Sequence, residues 1–170
     1  AYQFRAGGGT LLLPSSSTTT ATVAGPSIMA QTTGTPGGFV RSDGCLLTFI
    51  AHQRTGAWII DDSYNANPSS VRAGIEVLAA VDGRRWLVLG DMAELGEFAA
   101  DAHAQIGALA RERGIERLLA TGPLAALAVE RFGTGGQWFP ETQALTRELQ
   151  RALSAEKTAA AVRLLVKGSR

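Results

Sequence analysis

The sequence has very little cysteine and no long apolar run. Cys45 is the only cysteine among 170 residues, so an internal disulfide and a four-cysteine zinc site are both excluded. No segment approaches the roughly 18 consecutive apolar residues of a membrane-spanning helix, and residues 1–7 lack the basic-then-apolar pattern of a secretory signal. These absences favour a reducing compartment and predict a cytoplasmic protein without a membrane span.

An excess of charge of either sign is missing as well. The 16 basic and 15 acidic side chains leave a net charge of +1 and form no long like-charge block. A nucleic acid or an anionic membrane binds a concentrated basic surface, so neither partner is expected. Three motifs are also absent from the sequence: the Gly-x-x-x-x-Gly-Lys-Ser/Thr phosphate-binding loop, the Gly-x-Gly-x-x-Gly dinucleotide-binding fingerprint and the Gly-x-Ser-x-Gly nucleophile elbow. The sequence therefore predicts a binding surface without a catalytic centre of its own.

The chain divides near residue 55. Residues 1–55 contain glycine clusters and the low-complexity run Ser15–Thr20, which predict an irregular extension of uncertain origin: an insertion, a linker or sequence read in a wrong frame. Two short apolar runs there, residues 11–13 and 46–50, could form isolated strands or belong to a disordered arm. Residues 56–170 are predicted to form the folded domain.

The second part alternates short apolar runs with amphipathic stretches, a rhythm typical of α/β proteins. The predicted strands cover residues 57–61, 85–89, 117–121, 137–139 and 162–166. Apolar residues at helical spacing predict helices around residues 71–79, 102–110 and 145–153. Continuously apolar strands belong to sheets that are covered on both faces. The prediction is a Rossmann-like, doubly wound and mainly parallel sheet with helices on both faces.

Polar residues follow three of these strands. They form the segments Asp61–Pro68, Gly90–Gly96 and Lys167–Arg170. Because open α/β sheets bind ligands at the carboxyl ends of their strands, the three segments predict one binding edge.

The residue types allow more than one role in the first segment. Asn67 before Pro68 has the pattern of a helix cap, and this role and ligand contact are equally favoured. Asp62 and Asn65 precede the cap, where a ribose hydroxyl or a phosphate would approach the helix N-terminus, so a ligand-binding role is favoured for both.

The other two segments are similarly open. Asp91 and Glu94 could hold an ammonium group or a hydrated Mg²⁺, although a plain connecting loop is slightly favoured. Lys167 and Arg170 suit an anionic group as well as they suit a solvated chain end. His103 has no histidine near it in sequence, so it predicts a packed or surface side chain and no metal site.

Several segments together resemble the C-terminal domain of MurF-type Mur ligases, the UDP-N-acetylmuramoyl-tripeptide:D-alanyl-D-alanine ligases of bacterial cell-wall synthesis. The likeness lies in Ile59–Pro68, Leu87–Gly96, His103 and Leu165–Arg170, which occur in the family's order and approximate spacing. It covers residues 57–170, and the combination of motifs is what makes it specific. The family continues past this point with a further helix, so residues 56–170 are expected to lack the last helix of the domain.

The resemblance implies an ATP-dependent amide ligation. In this family the terminal carboxylate of UDP-N-acetylmuramoyl-tripeptide is phosphorylated, and the amine of D-alanyl-D-alanine attacks the acyl phosphate. A central ligase domain supplies most of the contacts to ATP and Mg²⁺, while the C-terminal domain closes over the nucleotide. This chain would be that lid, with no catalytic or metal-ligating residue of its own, and it is expected to be inactive in isolation.

The resemblance also implies roles for individual residues. The side chains implied to meet the nucleotide are Asp62, Tyr64, Asn65 and Asn67. Those implied to border the D-alanyl-D-alanine site are Asp91, Glu94, Lys167, Ser169 and Arg170. Asp62 is the strongest candidate, and its replacement by alanine is expected to weaken ATP binding while leaving the fold intact.

Two other hypotheses fit the residues. One is a free-standing Rossmann-like module that binds a nucleotide or an amino acid without catalysis. The other is the product of a damaged gene, which the change in composition near residue 55 suggests.

Overall fold

In the computed structural model, the part of residues 1–55 that is described forms five short strands, whereas the sequence predicts an irregular extension there. Strands β1 (Tyr2–Ala6) and β2 (Gly9–Leu13) form an antiparallel pair, and β3 (Met29–Gln31), β4 (Gly38–Val40) and β5 (Leu46–Ala51) form an antiparallel ladder. The structure describes the backbone of these strands, and it describes residues 55, 57–63, 65–157 and 161–169 in full.

The strands of the second part of the chain form a parallel sheet. Its strands are β6 (Trp58–Asp62), β7 (Arg84–Leu89), β8 (Arg117–Thr121), β9 (Gly136–Phe139) and β10 (Val162–Lys167). They lie in the order β6-β10-β7-β8-β9, and β5 pairs antiparallel with β6. The mainly parallel α/β fold is therefore confirmed, with each parallel strand at a predicted position. The division of the chain at residue 55 stays a prediction.

Within the described residues, four helices connect the parallel strands. They are α1 (Pro68–Ala79), α2 (Ala99–Glu112), α3 (Ala125–Phe132) and α4 (Thr142–Ala155), and a 3-10 turn, Gly96–Phe98, precedes α2. Three of them match the predicted helices. Helix α3 was not predicted, because it has only 8 residues and its buried stripe consists mainly of alanines, which give a weak apolar signal. Among the described residues, no helix has the length and apolar character needed to cross a membrane.

The helices cover both faces of the sheet. Helices α1, α2 and α3 pack on one face, and α4 packs on the other. Strand β7 shows how the strands serve both layers: Leu87 and Leu89 join the first core, while Trp86 and Val88 join the second. This alternation follows from the two-residue period of a strand.

The register of the sheet places three strand ends side by side. Lys167, the last residue of β10, pairs with Asp62 at the end of β6 and with Leu89 at the end of β7. The segments that follow these residues therefore leave the sheet at one edge.

Candidate functional site

The three polar segments meet at the carboxyl edge of the sheet, as predicted from the sequence. The amide of Gly90 donates to the carbonyl of Lys167 at 2.7 Å, and the amide of Ser169 donates to the carbonyl of Asp91 at 3.0 Å. The parallel pairing of β7 and β10 thus continues into the loops. This continuation fixes the backbone of the second and third segments relative to each other.

A buried ion pair joins the first and third segments. Lys167 Nζ lies 2.8 Å from Asp62 Oδ2 and also donates to the carbonyl of Asn65 at 2.9 Å. Lys167 is 1% exposed and Asp62 is 4% exposed. Each charge has lost most of its water, so each depends on the other for compensation.

This burial changes what the two residues can do. Neither Asp62 nor Lys167 lines the cleft at this edge, and a direct contact with a ligand would require their ion pair to break. The pair instead ties the Asn65 carbonyl to the end of β10. An Asp62→Ala substitution would strip Lys167 of its counter-charge, so the sequence-based expectation of an unperturbed fold does not fit this geometry.

The loop between β6 and α1 is held by its own amide side chains. Asn65 Oδ1 accepts a hydrogen bond from the amide of Ala66 at 2.8 Å. Asn67 Oδ1 accepts from the amide of Ser70 at 2.8 Å, and Ser70 Oγ accepts from the amide of Asn67 at 3.1 Å. These reciprocal bonds form a capping box at the start of α1, so the capping role of Asn67 is confirmed. Tyr64 lies outside the described residues.

Ser169 links the other two segments to this loop. Its hydroxyl donates to the carbonyl of Ala66 at 3.1 Å and accepts from the amide of Ala93 at 3.0 Å. One side chain therefore bridges the loop after β6 and the loop after β7. Arg170, which follows it, lies outside the described residues.

A cleft of about 450 Å³ opens where the three segments meet. Its lining consists of Asn65, Ala66, Asn67, Ala93, Glu94, Leu95 and Ser169. Three of these residues, Ala66, Ala93 and Leu95, were not predicted, because small and apolar side chains carry no chemical signal. Glu94 is the only charged residue among those described that line the cleft. The cleft thus offers amide and hydroxyl groups on one side and a single carboxylate on the other.

Asp91 accepts a hydrogen bond from the N-terminus of α3. Its Oδ1 accepts a hydrogen bond at 2.7 Å from the amide of Ala125, the first residue of α3. A carboxylate at a helix N-terminus satisfies an amide that has no partner within the helix and interacts favourably with the helix dipole. Asp91 does not line the cleft, so its sequence-based role beside D-alanyl-D-alanine stays a prediction.

Gly122 is expected to be required for the position of Asp91. It has a φ of +104°, and a Cβ atom there would lie 2.4 Å from Asp91 Oδ1. Gly96 has a φ of +56° with nothing within 4 Å of its Cβ position, so Gly96→Ala is a control without the clash. Gly122→Ala is expected to cost about 1 kcal/mol more, because alanine is more strained at a φ of +104° than at +56° and because Asp91 must leave α3. Equal losses of unfolding free energy in urea would contradict this account.

Comparison with known proteins agrees with this geometry. A family model described as the Mur ligase, glutamate ligase domain, matches residues 47–170. The match begins within β5 and includes all five parallel strands and all three polar segments.

Individual relatives carry a ligase name. The chain is 41% identical over 112 residues to the UDP-N-acetylmuramoyl-tripeptide–D-alanyl-D-alanine ligase of Escherichia coli strain K12, covering 66% of this chain and 24% of that protein. A crystal structure of MurF from Acinetobacter baumannii matches with a TM-score of 0.63 and 30% identity, covering 72% of this chain and 26% of the other. MurF ligase from Thermotoga maritima, solved in complex with ADP, has a TM-score of 0.59 at 18% identity, covers 99% of this chain and 42% of that one, and shows a likeness of fold alone. The chain thus spans about a quarter of the length of the E. coli relative.

Proposed function

Because this chain belongs to the Mur ligase family, we propose that it is the C-terminal portion of an ATP-dependent ligase that joins D-alanyl-D-alanine to UDP-N-acetylmuramoyl-tripeptide. The observation that carries the proposal is the cleft formed by three strand-end segments. The same segments carry the sequence likeness to the family. In a protein of this family, this edge would close over the nucleotide. The edge would then face a central ligase domain, with the nucleotide and the acceptor dipeptide bound between them.

The proposed reaction has two steps. An oxygen of the tripeptide carboxylate attacks the γ-phosphorus of ATP, ADP leaves, and an acyl phosphate remains. The amine nitrogen of D-alanyl-D-alanine then attacks the acyl carbon, the C–O bond to phosphate breaks, and the nitrogen loses a proton. The products are the amide, ADP and inorganic phosphate.

We assign the phosphoryl-transfer machinery, which comprises the phosphate-binding loop, Mg²⁺ and the chemical steps, to a central ligase domain. The described residues contain no group of three His, Cys, Asp or Glu side chains that could hold a metal ion, which is compatible with this assignment. A cytoplasmic location belongs to the same proposal.

The loop after β6 is the proposed nucleotide side of the cleft. Asn65 and Asn67 line it at the start of α1, whose first turn carries no acidic side chain. A helix N-terminus attracts anions through its dipole and its amide groups, and amide side chains can donate to phosphate or ribose oxygens. Tyr64 is proposed as part of the same surface. For Asp62 we propose a supporting role, since it fixes this loop through Lys167 and does not line the cleft.

The loop after β7 and the end of β10 form the proposed acceptor side. The carboxylate of Glu94 suits the ammonium group of D-alanyl-D-alanine before that group loses its proton. Ser169 lies between the two sides, and Arg170 is proposed to meet the carboxylate of the dipeptide because a guanidinium binds carboxylates with two hydrogen bonds. Lys167 would hold this side of the cleft in place through its buried ion pair with Asp62 and would not contact the dipeptide directly.

The test of the proposal is phosphate release from ATP. We expect the 170-residue chain to release no phosphate, even with both other substrates present, because the proposal places the transfer machinery in a central ligase domain. The complete ligase encoded by the surrounding reading frame is expected to release phosphate when all three substrates are present. Phosphate release by the isolated chain would contradict the assignment of the transfer machinery to a central domain. Phosphate release by the complete protein that does not depend on D-alanyl-D-alanine would contradict the proposed function.

A further inference from the structure

A fully buried histidine contacts the cleft loop from inside the protein. His103 lies on α2, is 0% exposed, and points two ring nitrogens at backbone atoms. Nδ1 lies 2.7 Å from the carbonyl of Ala99, and Nε2 lies 2.9 Å from the amide nitrogen of Met92. A backbone carbonyl oxygen can only accept a hydrogen bond, and a backbone N–H can only donate one. Nδ1 therefore carries the proton, and Nε2 of a neutral ring accepts from Met92.

Met92 belongs to the loop that forms the acceptor side of the cleft. The next three residues, 93–95, all line the cleft. Glu94 has a φ of 61°, and it is the one non-glycine residue with a positive φ among those described. A side chain in this conformation is strained and persists only where the surrounding contacts impose it. The loop therefore needs fixed points close to Glu94.

Two side chains hold the backbone of this loop just before Glu94. On the exposed side, Ser169 Oγ holds the amide of Ala93. On the buried side, His103 Nε2 holds the amide of Met92, while Asp91, whose Oδ1 lies 4.0 Å from Nε2, is engaged at α3. Met92 is 1% exposed, so water cannot replace the histidine as the partner of its amide. Without an acceptor at position 103, this buried amide would be unsatisfied and the loop would shift to reach water.

We propose that His103 is a positioning residue for the acceptor side of the cleft: its Nε2 fixes the Met92 amide and so holds the strained loop conformation that presents Glu94. This inference rests on the proposed function for the identity of the acceptor, D-alanyl-D-alanine. The loop contact itself does not depend on that identity.

Two substitutions in the complete ligase separate positioning from packing. His103→Leu fills a similar volume but offers no acceptor, whereas His103→Gln keeps an oxygen that can accept from Met92. For His103→Leu we expect a KM for D-alanyl-D-alanine about fivefold higher, which corresponds to one lost hydrogen bond, and a KM for ATP changed by less than about twofold. His103→Gln is expected to restore the KM to within about twofold of the wild type.

A second readout is independent of catalysis. Residue-resolved hydrogen exchange of the Met92 amide is expected to be faster in His103→Leu and close to the wild-type rate in His103→Gln. If the wild-type ligase proved inactive with D-alanyl-D-alanine, the proposed function would fail while this exchange contrast would still report on the positioning role. If His103→Leu did not fold, His103→Asn, whose shorter side chain cannot reach Met92, would supply the contrast.

The inference is overturned by either of two results. One is unchanged Met92 exchange in the variant that lacks the acceptor. The other is an equal rise in both KM values that the glutamine variant does not reverse, since a purely structural role would affect both substrates alike.

Discussion

Replacing Lys167 by methionine is expected to lower the free energy of unfolding by about 3–5 kcal/mol, because the substitution removes a positive charge that pairs with a buried carboxylate. Lys167 Nζ binds Asp62 Oδ2 at 2.8 Å and the carbonyl of Asn65 at 2.9 Å, so both acceptors lose their contact with Lys167 together. Methionine fills most of the space of the lysine stem, which keeps the loss of packing small. Urea unfolding of this chain measures the effect.

Two controls assign the loss to the ion pair. Lys157→Met is the same substitution at an exposed position and is expected to change stability by less than about 0.5 kcal/mol. Asp62→Leu combined with Lys167→Met removes both charges and is expected to recover much of the loss, since buried ion pairs can often be replaced by apolar residues. A Lys167→Met variant as stable as the Lys157→Met control would show that the pair does not hold this edge together.

Replacing Glu94 by glutamine in the complete ligase is expected to raise the KM for D-alanyl-D-alanine about tenfold, since a hydrogen bond to a charged group contributes more than a neutral one. Glu94 is the single charged residue among the described ones that line the cleft. Glutamine keeps the size of the side chain, and the loop can keep its conformation. The KM for ATP is expected to change little, because the proposed nucleotide side is formed by Asn65 and Asn67.

Glu97→Gln is the matched control for this substitution. Glu97 is also exposed and lies in the adjacent 3-10 turn, but it does not line the cleft. Its substitution is expected to leave both KM values unchanged. A rise in the KM for ATP with an unchanged KM for the dipeptide would contradict the proposal, because it would show that the nucleotide binds on the Glu94 side of the cleft.

Most of the parallel sheet could be predicted from the sequence, because continuous apolar runs mark strands that are covered on both faces. The one missed helix, α3, is short and packs through alanines. Its N-terminus depends on Asp91, a residue 34 positions away in the chain. No local pattern contains that contact, so apolar periodicity could not reveal it.

The candidate site was predictable in its place and less so in its detail. The rule that ligands bind at the carboxyl ends of strands places three distant segments at one edge from the sequence alone. Which side chains face the cleft depends on pairing across the fold. Asp62 and Lys167 are 105 positions apart and neutralise each other, so these two predicted contact residues do not line the cleft and instead hold the loops that line it.

Hydrogen exchange of the complete ligase, with and without a non-hydrolysable ATP analogue and D-alanyl-D-alanine, tests the central claim most directly. We expect the ligands to slow amide exchange in residues 65–67, 91–96 and 168–169. No change is expected at the opposite edge, in residues 81–83 and 114–116, which precede β7 and β8. Protection at that opposite edge, or unchanged exchange in all three segments that follow the strand ends, would contradict a ligand site at the carboxyl edge of the sheet.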